Sequence, residues 1–306
     1  MQERIDPIAY SPERLLRDIE AASYSILAPF DRERTQTALE VFDEEFRCCV
    51  VQLKATDKPG SGVYYRFFYN GPKDLTRVAL DHGLIAGDGP NLRLQNEVLE
   101  RFPGATRAGL DFDSSFGLAK VWTFTGGPTP VGQLQGLQCL PASLRAHTEF
   151  FAEHGLRHVF FFASDYQGST MNVYFGWEDD CRNPEWIARM VQATGGAAPS
   201  PDLTRSILQS QAMSGGVGLT FSWERPELLR WCLYSLEVPE GVELPERLQV
   251  FQQAPSLNVQ PQFNVAWSFG GQRTYVKLEK SYSRDATYFL TQQMGGDLRR
   301  RGLQNA

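Results

Sequence analysis

The chain has 306 residues, of which 42% are apolar and 22% are charged, a composition typical of a globular protein and unlike a disordered or fibrous one. Its formal net charge of −6 argues against nucleic acid as a partner, because phosphate-backbone binding needs a concentrated basic face. The charged N-terminal stretch does not resemble a secretory signal, and no segment approaches the roughly 20 apolar residues that span a bilayer. We therefore expect a cytoplasmic protein that binds neither nucleic acid nor a membrane.

Hydrophobic periodicity predicts a unit of helical segments followed by two short strands and a turn, repeated about five times. The predicted helices cover residues 11–26, 31–46, 74–84, 90–102, 141–154, 184–194, 202–213, 244–254 and 285–299. The predicted strands cover residues 48–56, 62–70, 106–113, 117–126, 157–164, 169–177, 215–223, 228–236, 262–270 and 273–283. The Gly- and Pro-rich stretches 125–130 and 195–201 are interpreted as loops.

This order of elements predicts an α+β fold. Helix pairs that alternate with hairpins do not suit a Rossmann sheet, which needs single helices between parallel strands. Closing ten antiparallel strands into a barrel removes the exposed edges of an open sheet. We therefore expect a ten-stranded antiparallel β-barrel surrounded by helices, built from repeated ααββ units. One domain should span residues 1–306, and we expect a monomer.

The cysteines and histidines show no metal-binding pattern. The five cysteines lack CxxC spacing and are interpreted as reduced core thiols, with Cys48 and Cys49 on a strand. The four histidines form no HExxH pattern, so a zinc site is not expected.

Alternation within the predicted strands separates an apolar face from a polar and aromatic one. In residues 169–177, Met171, Val173 and Phe175 alternate with Asn172 and Tyr174, and the other strands behave similarly. If helices cover the outside, the apolar face meets them and the polar face lines the barrel lumen.

The lumen is then predicted to hold several cations beside aromatic rings. The cations are Lys54, Arg66, Lys120, Arg230 and Lys277, with Asn172 and Tyr174 as neutral donors and Phe68, Trp122, Phe124, Tyr234 and Tyr275 as aromatic walls. Unpaired buried cations are costly, and one acid such as Glu279 cannot neutralise them all, so the pattern favours a diphosphate with an apolar tail. The alternative is that each cation lies on a solvated sheet face.

Three segments resemble a known family. EFFAEHGLRHVFFFASDYQGSTMNVYFGW (149–177), LLRWCLYSLEVP (228–239) and NVAWSFGGQRTYVKLEKSYS (264–283) are similar to the ABBA aromatic prenyltransferases, especially the soluble group with the novobiocin, clorobiocin and phenazine pathway enzymes. The similarity runs from about residue 10 to 290. It implies the same barrel, with an isoprenoid diphosphate donor and an aromatic acceptor reacting in its lumen.

The resemblance assigns diphosphate binding to one group of lumen residues, namely Lys120, Asn172, Tyr174, Arg230 and Lys277. Members that need magnesium carry an Asp where this chain has Tyr65 and a small hydroxyl residue where it has Lys54. The chain therefore resembles the magnesium-independent branch, with no metal cofactor, and with Lys54 and Arg66 supplying the positive charge. The Tyr that some members use for the diphosphate falls near Gly218.

The resemblance also places the acceptor. Glu279 matches the acidic residue beside the aromatic substrate, where it would orient the acceptor or take its proton. The alternative for Glu279 is a salt bridge to Lys280 or Arg273. Phe160 stands where relatives that use 4-hydroxyphenylpyruvate have an Arg, which favours a flatter acceptor of phenazine or hydroxynaphthalene type.

The predicted function is transfer of a dimethylallyl group from dimethylallyl diphosphate to an aromatic carbon, in secondary metabolism. Three alternatives remain open at this point. The first is a prenyltransferase that uses 4-hydroxyphenylpyruvate, and the second is a non-catalytic barrel that binds a hydrophobic aromatic molecule. The third, a metal-dependent hydrolase or oxygenase, would need a His and carboxylate set on the strands.

Overall fold

The structure, a computed structural model, describes residues 10–69, 71–176, 183–209, 215–236, 243–270 and 274–293. Its α-helices are α1 Pro12–Ser25, α2 Arg32–Val41, α3 Asp43–Cys48, α4 Leu75–Asp81, α5 Pro90–Arg101, α6 Ala142–Ala146, α7 Thr148–Glu153, α8 Pro184–Ala193, α9 Pro201–Gln209, α10 Glu246–Gln252 and α11 Ala286–Gln293. Its strands are β1 Val50–Thr56, β2 Tyr64–Phe68, β3 Thr106–Asp113, β4 Gly117–Pro130, β5 His158–Asp165, β6 Thr170–Gly176, β7 Gly215–Ser222, β8 Leu228–Ser235, β9 Phe263–Phe269 and β10 Tyr275–Ser283. A 3₁₀ helix covers Val131–Gly136.

Local sequence signals determine where several helices begin. Ser11 accepts a hydrogen bond from the Arg14 amide and precedes Pro12 at the start of α1. Asn183 does the same for the Trp186 amide before Pro184 in α8. A side-chain cap followed by proline satisfies free amides of the first turn with the backbone already in helical geometry.

The ten strands form a closed antiparallel barrel, which confirms the predicted fold class. Each strand pairs with its neighbours in the chain, and β1 pairs with both β2 and β10. Lys54 lies opposite Glu279 on one side and Tyr64 on the other. We use the term hairpin end for the end of the barrel where β1 joins β2, β3 joins β4 and so on, and helix end for the opposite one.

The main hydrophobic core lies between the outer face of the barrel and the helices. Outward residues such as Val51, Leu53 and Val173 are fully buried there. Phe46 of α3 is also fully buried and meets the ring of Phe67 edge-on, with 4.9 Å between ring centroids. The inner face is therefore left for other chemistry.

Helix α11 covers the helix end of the barrel. Ala286 and Leu290 belong to a second, inner cluster of buried apolar residues, together with Phe68 and Phe124. The ring of Phe289 stacks on Phe68 with 5.1 Å between centroids. This cover excludes water from the apolar half of the lumen.

Several predicted boundaries were wrong. Cys48 is the last residue of α3 and is exposed, and Cys49 follows it, because that segment continues a helix before β1 begins. Cys139 is only partly buried, so the interpretation of the cysteines as core thiols is wrong for these three. Cys232 is buried, and Cys181 lies outside the described residues. Residues 125–130 are not a loop, because β4 runs to Pro130 through a register shift.

Two predicted helices are interrupted and two others are only partly described. The helix predicted at 31–46 breaks at Phe42, and the one at 141–154 breaks at His147. Residues 210–213 of the helix predicted at 202–213 and residues 294–299 of the last predicted helix lie outside the described residues. No helix in the described ranges combines the length and apolar character needed to cross a bilayer.

We predict that Phe46→Ala lowers the free energy of unfolding by about 3–5 kcal/mol, because it leaves a cavity between α3 and the barrel. Phe116→Ala is the matched control: this ring is 66% exposed, so its loss should change stability by less than about 0.5 kcal/mol. Urea unfolding of both variants measures the difference. Equal effects would contradict the placement of the core.

Candidate active site

Two cations on the inner face lie close to the hairpin end. Lys277 of β10 donates hydrogen bonds to Cys232 Sγ at 3.1 Å and to the Tyr234 hydroxyl at 3.2 Å. Within the described ranges, its ammonium forms no ion pair with a carboxylate. Arg230 of β8 donates to Ser268 Oγ at 3.2 Å, and its guanidinium lies 4.8 Å from the centre of the Tyr275 ring.

A buried ion network crosses the barrel where β1 meets β10. Lys54 Nζ lies 2.7 Å from Asp111 Oδ2, and Arg66 Nε lies 3.3 Å from Asp111 Oδ1. Arg66 also donates from Nη2 to Glu279 Oε1 at 3.1 Å. All four side chains are almost inaccessible to solvent, and they alternate in charge along the chain of contacts. The charges of the network are therefore paired within the barrel, although Arg66 Nε and Asp111 Oδ1 form no hydrogen bond among the described residues.

Lys120 is paired as well, but closer to solvent. Its Nζ lies 3.0 Å from Asp165 Oδ2 on the neighbouring strand, and both side chains are partly exposed at the hairpin end. Nearby, Asn172 donates from Nδ2 to the Tyr174 hydroxyl at 3.2 Å. The side-chain oxygen of Asn172, Oδ1, is buried and has no hydrogen-bond partner among the described residues. The same is true of Trp122 Nε1. Such atoms are uncommon in native folds and are candidates for contact with a ligand.

Aromatic rings form a continuous wall beyond these polar groups. Tyr174 stacks on Phe161 with 4.4 Å between ring centroids and on Trp122 with 5.1 Å. Phe161 also contacts Phe124 at 4.9 Å, and Tyr174 contacts Tyr234 at 5.8 Å. The Arg66 guanidinium lies 5.3 Å from the Trp122 ring. This places a cation at the border between the wall and the ion network.

A cavity lies between the wall, the ion network and α11. Its lining includes Arg66, Trp122, Phe161, Tyr174, Tyr234, Glu279 and Leu290. One carboxylate and one guanidinium therefore face a mostly aromatic and aliphatic space. Such a space suits a flat apolar molecule with a single polar group directed at Glu279.

Tyr275 stands at the mouth of the lumen among three cations. Lys58 lies 4.8 Å, Arg230 4.8 Å and Lys277 5.6 Å from the centre of its ring. Burial would raise the pKa of Tyr275, but Lys277 and Arg230 hold it below the ordinary value. The mouth thus has a strongly positive potential.

Charge and burial act in opposite directions on the network cations. Burial lowers the pKa of Lys54 to about 8, although Asp111 opposes the shift. Burial also disfavours the charged form of Arg66, but Asp111 and Glu279 outweigh it and keep its pKa above the ordinary value. Burial disfavours the charged form of Lys120 too, and Asp165 reverses the effect, so its pKa is raised. Lys54 is thus the network cation whose charge is easiest to lose.

The sequence profile described as aromatic prenyltransferase Orf2 matches residues 10–293. The chain belongs to this family. It is 31% identical over 285 residues to the 4-hydroxyphenylpyruvate 3-dimethylallyltransferase of Streptomyces niveus, covering 92% of this chain and 88% of that one. It is 33% identical over 289 residues to an aromatic prenyltransferase of Botryotinia fuckeliana, covering 90% and 92%. The family resemblance predicted from the sequence is confirmed.

Two more distant relatives extend the comparison. The chain is 27% identical over 261 residues to the flaviolin linalyltransferase of Streptomyces virginiae, covering 82% of this chain and 85% of that one. Among solved structures, a 6-dimethylallyl tryptophan synthase matches with a TM-score of 0.57 at 13% identity, over 89% of this chain and 96% of that one. At this identity, the second match supports the barrel fold alone.

The structure of this prenyltransferase brings the predicted site residues onto the inner face of one barrel. The cations and Glu279 lie in the contacts described above, and Phe68, Trp122, Phe124 and Tyr174 belong to the inner apolar cluster. Phe160 joins this cluster through a register shift in β5, with Gly176 directly beside its ring. Tyr234 and Tyr275 flank Lys277.

Two interpretations from the sequence were wrong, and a different partner is found for Glu279. The lumen cations are not all unpaired, because Asp111 and Asp165 compensate Lys54, Arg66 and Lys120. Tyr65 does not face the lumen, because its ring packs outward against Phe112. It therefore does not correspond to the Asp that magnesium-dependent members carry. The partner of Glu279 is Arg66.

Of the two residues named as alternative partners of Glu279, the structure tests only Lys280. Lys280 points to the outer face, where its ammonium donates to the Gln252 carbonyl at 3.0 Å. Arg273 lies outside the described residues.

Sequence reasoning missed Asp111, Asp165, Phe161 and Cys232 as lumen residues. Asp111 alternates with Leu110 and Phe112, so the same face rule applied to 106–113 would have found it. It also lies directly across from Arg66 and from Lys120 in the sheet. Phe161 was hidden by the register shift in β5, which no alternation pattern reveals.

Gly218 explains how the wall closes without the tyrosine that some family members have there. A Cβ atom at this position would lie 2.9 Å from Tyr174 Cε1 and 3.2 Å from Tyr234 Cε2. The missing side chain thus leaves room for both tyrosine rings, which take up the space beside the polar groups.

Replacing Asp111 by Asn should lower the pKa of Lys54 below about 8, because the substitution removes the negative charge that favours the ammonium. NMR titration of the labelled lysine side chain measures this shift. Asp165→Asn is the matched control: it contacts Lys120, so the Lys54 pKa should stay near 8. An unchanged Lys54 pKa in the Asp111 variant would contradict the network.

Proposed function

We propose that this prenyltransferase transfers a dimethylallyl group from dimethylallyl diphosphate to a ring carbon of a flat hydroxylated aromatic acceptor, without a divalent metal. The observation that carries the proposal is the division of the lumen. A positive mouth, in which the described contacts of Lys277 are weak acids, adjoins an aromatic cavity that the Glu279 carboxylate lines.

The donor diphosphate would lie near the hairpin end. Lys277, Arg230 and Lys120 offer positive charge there, and Asn172 and Tyr174 offer neutral hydrogen-bonding groups. Lys277 is the strongest candidate, because a diphosphate oxygen would replace a thiol and a phenol as its contacts. Charge-assisted hydrogen bonds to phosphate are stronger than those to neutral groups.

The charges around Asp111 support metal independence. Magnesium needs several oxygen ligands in octahedral geometry, and the two Asp111 oxygens already face Lys54 and Arg66. Two cations beside the carboxylate oppose a third positive charge there. In the described residues, no cluster of three or more His, Cys, Asp or Glu side chains could hold a metal. Lys54 and Arg66 would then supply the charge that a metal supplies elsewhere.

The allyl group would extend from the cations toward the wall. As the C–O bond breaks, its electron pair leaves with the diphosphate, and the faces of Trp122, Phe161 and Tyr174 stabilise the allyl cation. Helix α11 excludes water from this half of the lumen, which protects the cation from hydrolysis. The acceptor carbon then forms the new C–C bond.

Glu279 would act on the acceptor. Its carboxylate lines the cavity and is held by Arg66, so it can accept a hydrogen bond from an acceptor hydroxyl and raise the electron density of the ring. It can also take the proton that leaves the ring when aromaticity is restored. Both roles use the carboxylate as an acceptor, first of a hydrogen bond and then of a proton.

The cavity favours a hydroxynaphthalene or phenazine type of acceptor over 4-hydroxyphenylpyruvate. Phe160 adds an apolar ring to the inner cluster, and Arg66, the cation among the described lining residues, is engaged by two carboxylates. A keto acid would therefore find no uncommitted cation among the described lining residues. The similarity to a 4-hydroxyphenylpyruvate enzyme makes that acceptor the second candidate.

The test is mass spectrometry of products formed from dimethylallyl diphosphate and a panel of aromatic acceptors in the presence of EDTA. We expect adducts enlarged by one dimethylallyl group with flat hydroxylated rings, flaviolin included. Lys277→Met should lower kcat/KM by about 100-fold or more, because the loss of one charge-assisted contact costs several kcal/mol in transition-state binding.

Arg205→Met is the control, because this exposed cation on α9 lies outside the barrel and should leave activity unchanged. Products that form only with added magnesium would contradict the metal-independent proposal. Adducts with 4-hydroxyphenylpyruvate alone would replace the favoured acceptor by the second candidate.

A further inference from the structure

The proposed reaction makes no use of Cys232, a nucleophilic side chain buried in the lumen. Cys232 lies on the inner face of β8, is 4% exposed, and has its Sγ 3.1 Å from Lys277 Nζ and 3.2 Å from Ser268 Oγ. Its two neighbours in the strand, Trp231 and Leu233, are fully buried in the outer core, as the alternation requires. The thiol therefore contacts the same ammonium that we assign to the donor diphosphate.

The surroundings of this thiol favour its charged form. Burial would raise the pKa of Cys232, but Lys277, the hydrogen bond between Cys232 and Ser268, and Arg230 together hold it below the ordinary value. Cys49 is the opposite case: burial and then Glu45 raise its pKa to about 12. Burial and Glu97 likewise raise the pKa of Cys139. Thiolate character is what makes a cysteine reactive toward oxidants.

A second observation indicates that a ligand enters the lumen at this point. Asn172 is 6% exposed, yet its Oδ1 has no hydrogen-bond partner among the described residues. Its Nδ2 donates a hydrogen bond to the Tyr174 hydroxyl. Burial raises the pKa of that hydroxyl, and the charges of Lys120 and Lys277 oppose the rise. Lys277, Arg230 and Tyr275 are partly exposed at the hairpin end, which gives small molecules a route to the thiol.

We propose that Cys232 is a peroxide-sensitive modification site whose oxidation prevents donor binding. In the donor-free barrel the sulfur attacks one oxygen of hydrogen peroxide and the O–O bond breaks. Cys232 is oxidised by two electrons to sulfenic acid, and the departing hydroxide takes a proton and becomes water. The added oxygen occupies the space beside Lys277. The effect on the donor rests on the proposed function, whereas the reactivity of the thiol does not.

The first experiment uses the wild-type protein and needs no variant. Donor-free protein is treated with hydrogen peroxide for increasing times, and peptide mapping follows the oxidised fraction of each cysteine. We expect Cys232 to be oxidised about tenfold faster than Cys139, because the rate follows the thiolate fraction. Oxidation of Cys139 while Cys232 stays reduced would overturn the proposal.

Inorganic pyrophosphate separates this inference from the donor site. We expect saturating pyrophosphate to slow Cys232 oxidation about tenfold and to leave Cys139 unaffected, because the anion takes Lys277 from the thiol and blocks access. If Cys232 reacts rapidly and pyrophosphate gives no protection, the claim that Cys232 is a reactive thiol is retained. The assignment of Lys277 to the diphosphate is then overturned, and with it the link between oxidation and donor binding.

Activity supplies the final readout. Prenyl transfer by the wild type should fall in step with Cys232 oxidation and return on addition of a thiol reductant. Cys232→Ser should keep whatever activity it has after the same treatment. Cys48→Ser, which removes an exposed thiol outside the barrel, should be inactivated like the wild type. If the Cys232 variant and the wild type lose activity equally on peroxide treatment, oxidation of Cys232 is not the cause of the loss, and the proposal is overturned.

Discussion

The need to compensate positive charge inside a closed barrel governs the arrangement of this protein. Helices occupy the apolar outer face of the sheet, so polar side chains are confined to the lumen. A buried ammonium or guanidinium without a counter-charge is strongly unfavourable. The lumen cations Lys54, Arg66 and Lys120 are compensated by carboxylates of the same barrel, namely Asp111, Glu279 and Asp165. Within the part of the chain that the structure describes, Lys277 is compensated by weak acids, which leaves it available for a stronger anion.

This division separates structure from function along the barrel axis. The network of Lys54, Asp111, Arg66 and Glu279 ties β1, β2, β3 and β10 together and holds the carboxylate that faces the acceptor cavity. Lys277 and Arg230 lie nearer the mouth, where the contacts are weaker and solvent is closer. A diphosphate would meet the second group first, and the aromatic wall would receive its tail.

Much of this could be predicted from the sequence, because strand alternation fixes which residues share a face. The rule placed Lys54, Arg66 and Lys277 together, and the hairpin order predicted the closed sheet. It failed where local irregularity intervenes: the register shift in β5 turns Phe161 inward, and β4 continues through a Gly-Pro stretch. Ion pairing between distant segments, such as Lys54 with Asp111, depends on sheet register, which alternation alone does not fix.

The most direct test of the central claim is a crystal structure with dimethylallyl thiolodiphosphate. In this donor analogue a C–S bond that resists cleavage replaces the C–O bond of the donor. Lys277 should lie within about 3.2 Å of a diphosphate oxygen. The contact between its ammonium and Cys232 should lengthen, while the Lys54–Asp111 pair remains intact. A diphosphate bound at the helix end, or outside the barrel with the Lys277–Cys232 contact unchanged, would contradict the account.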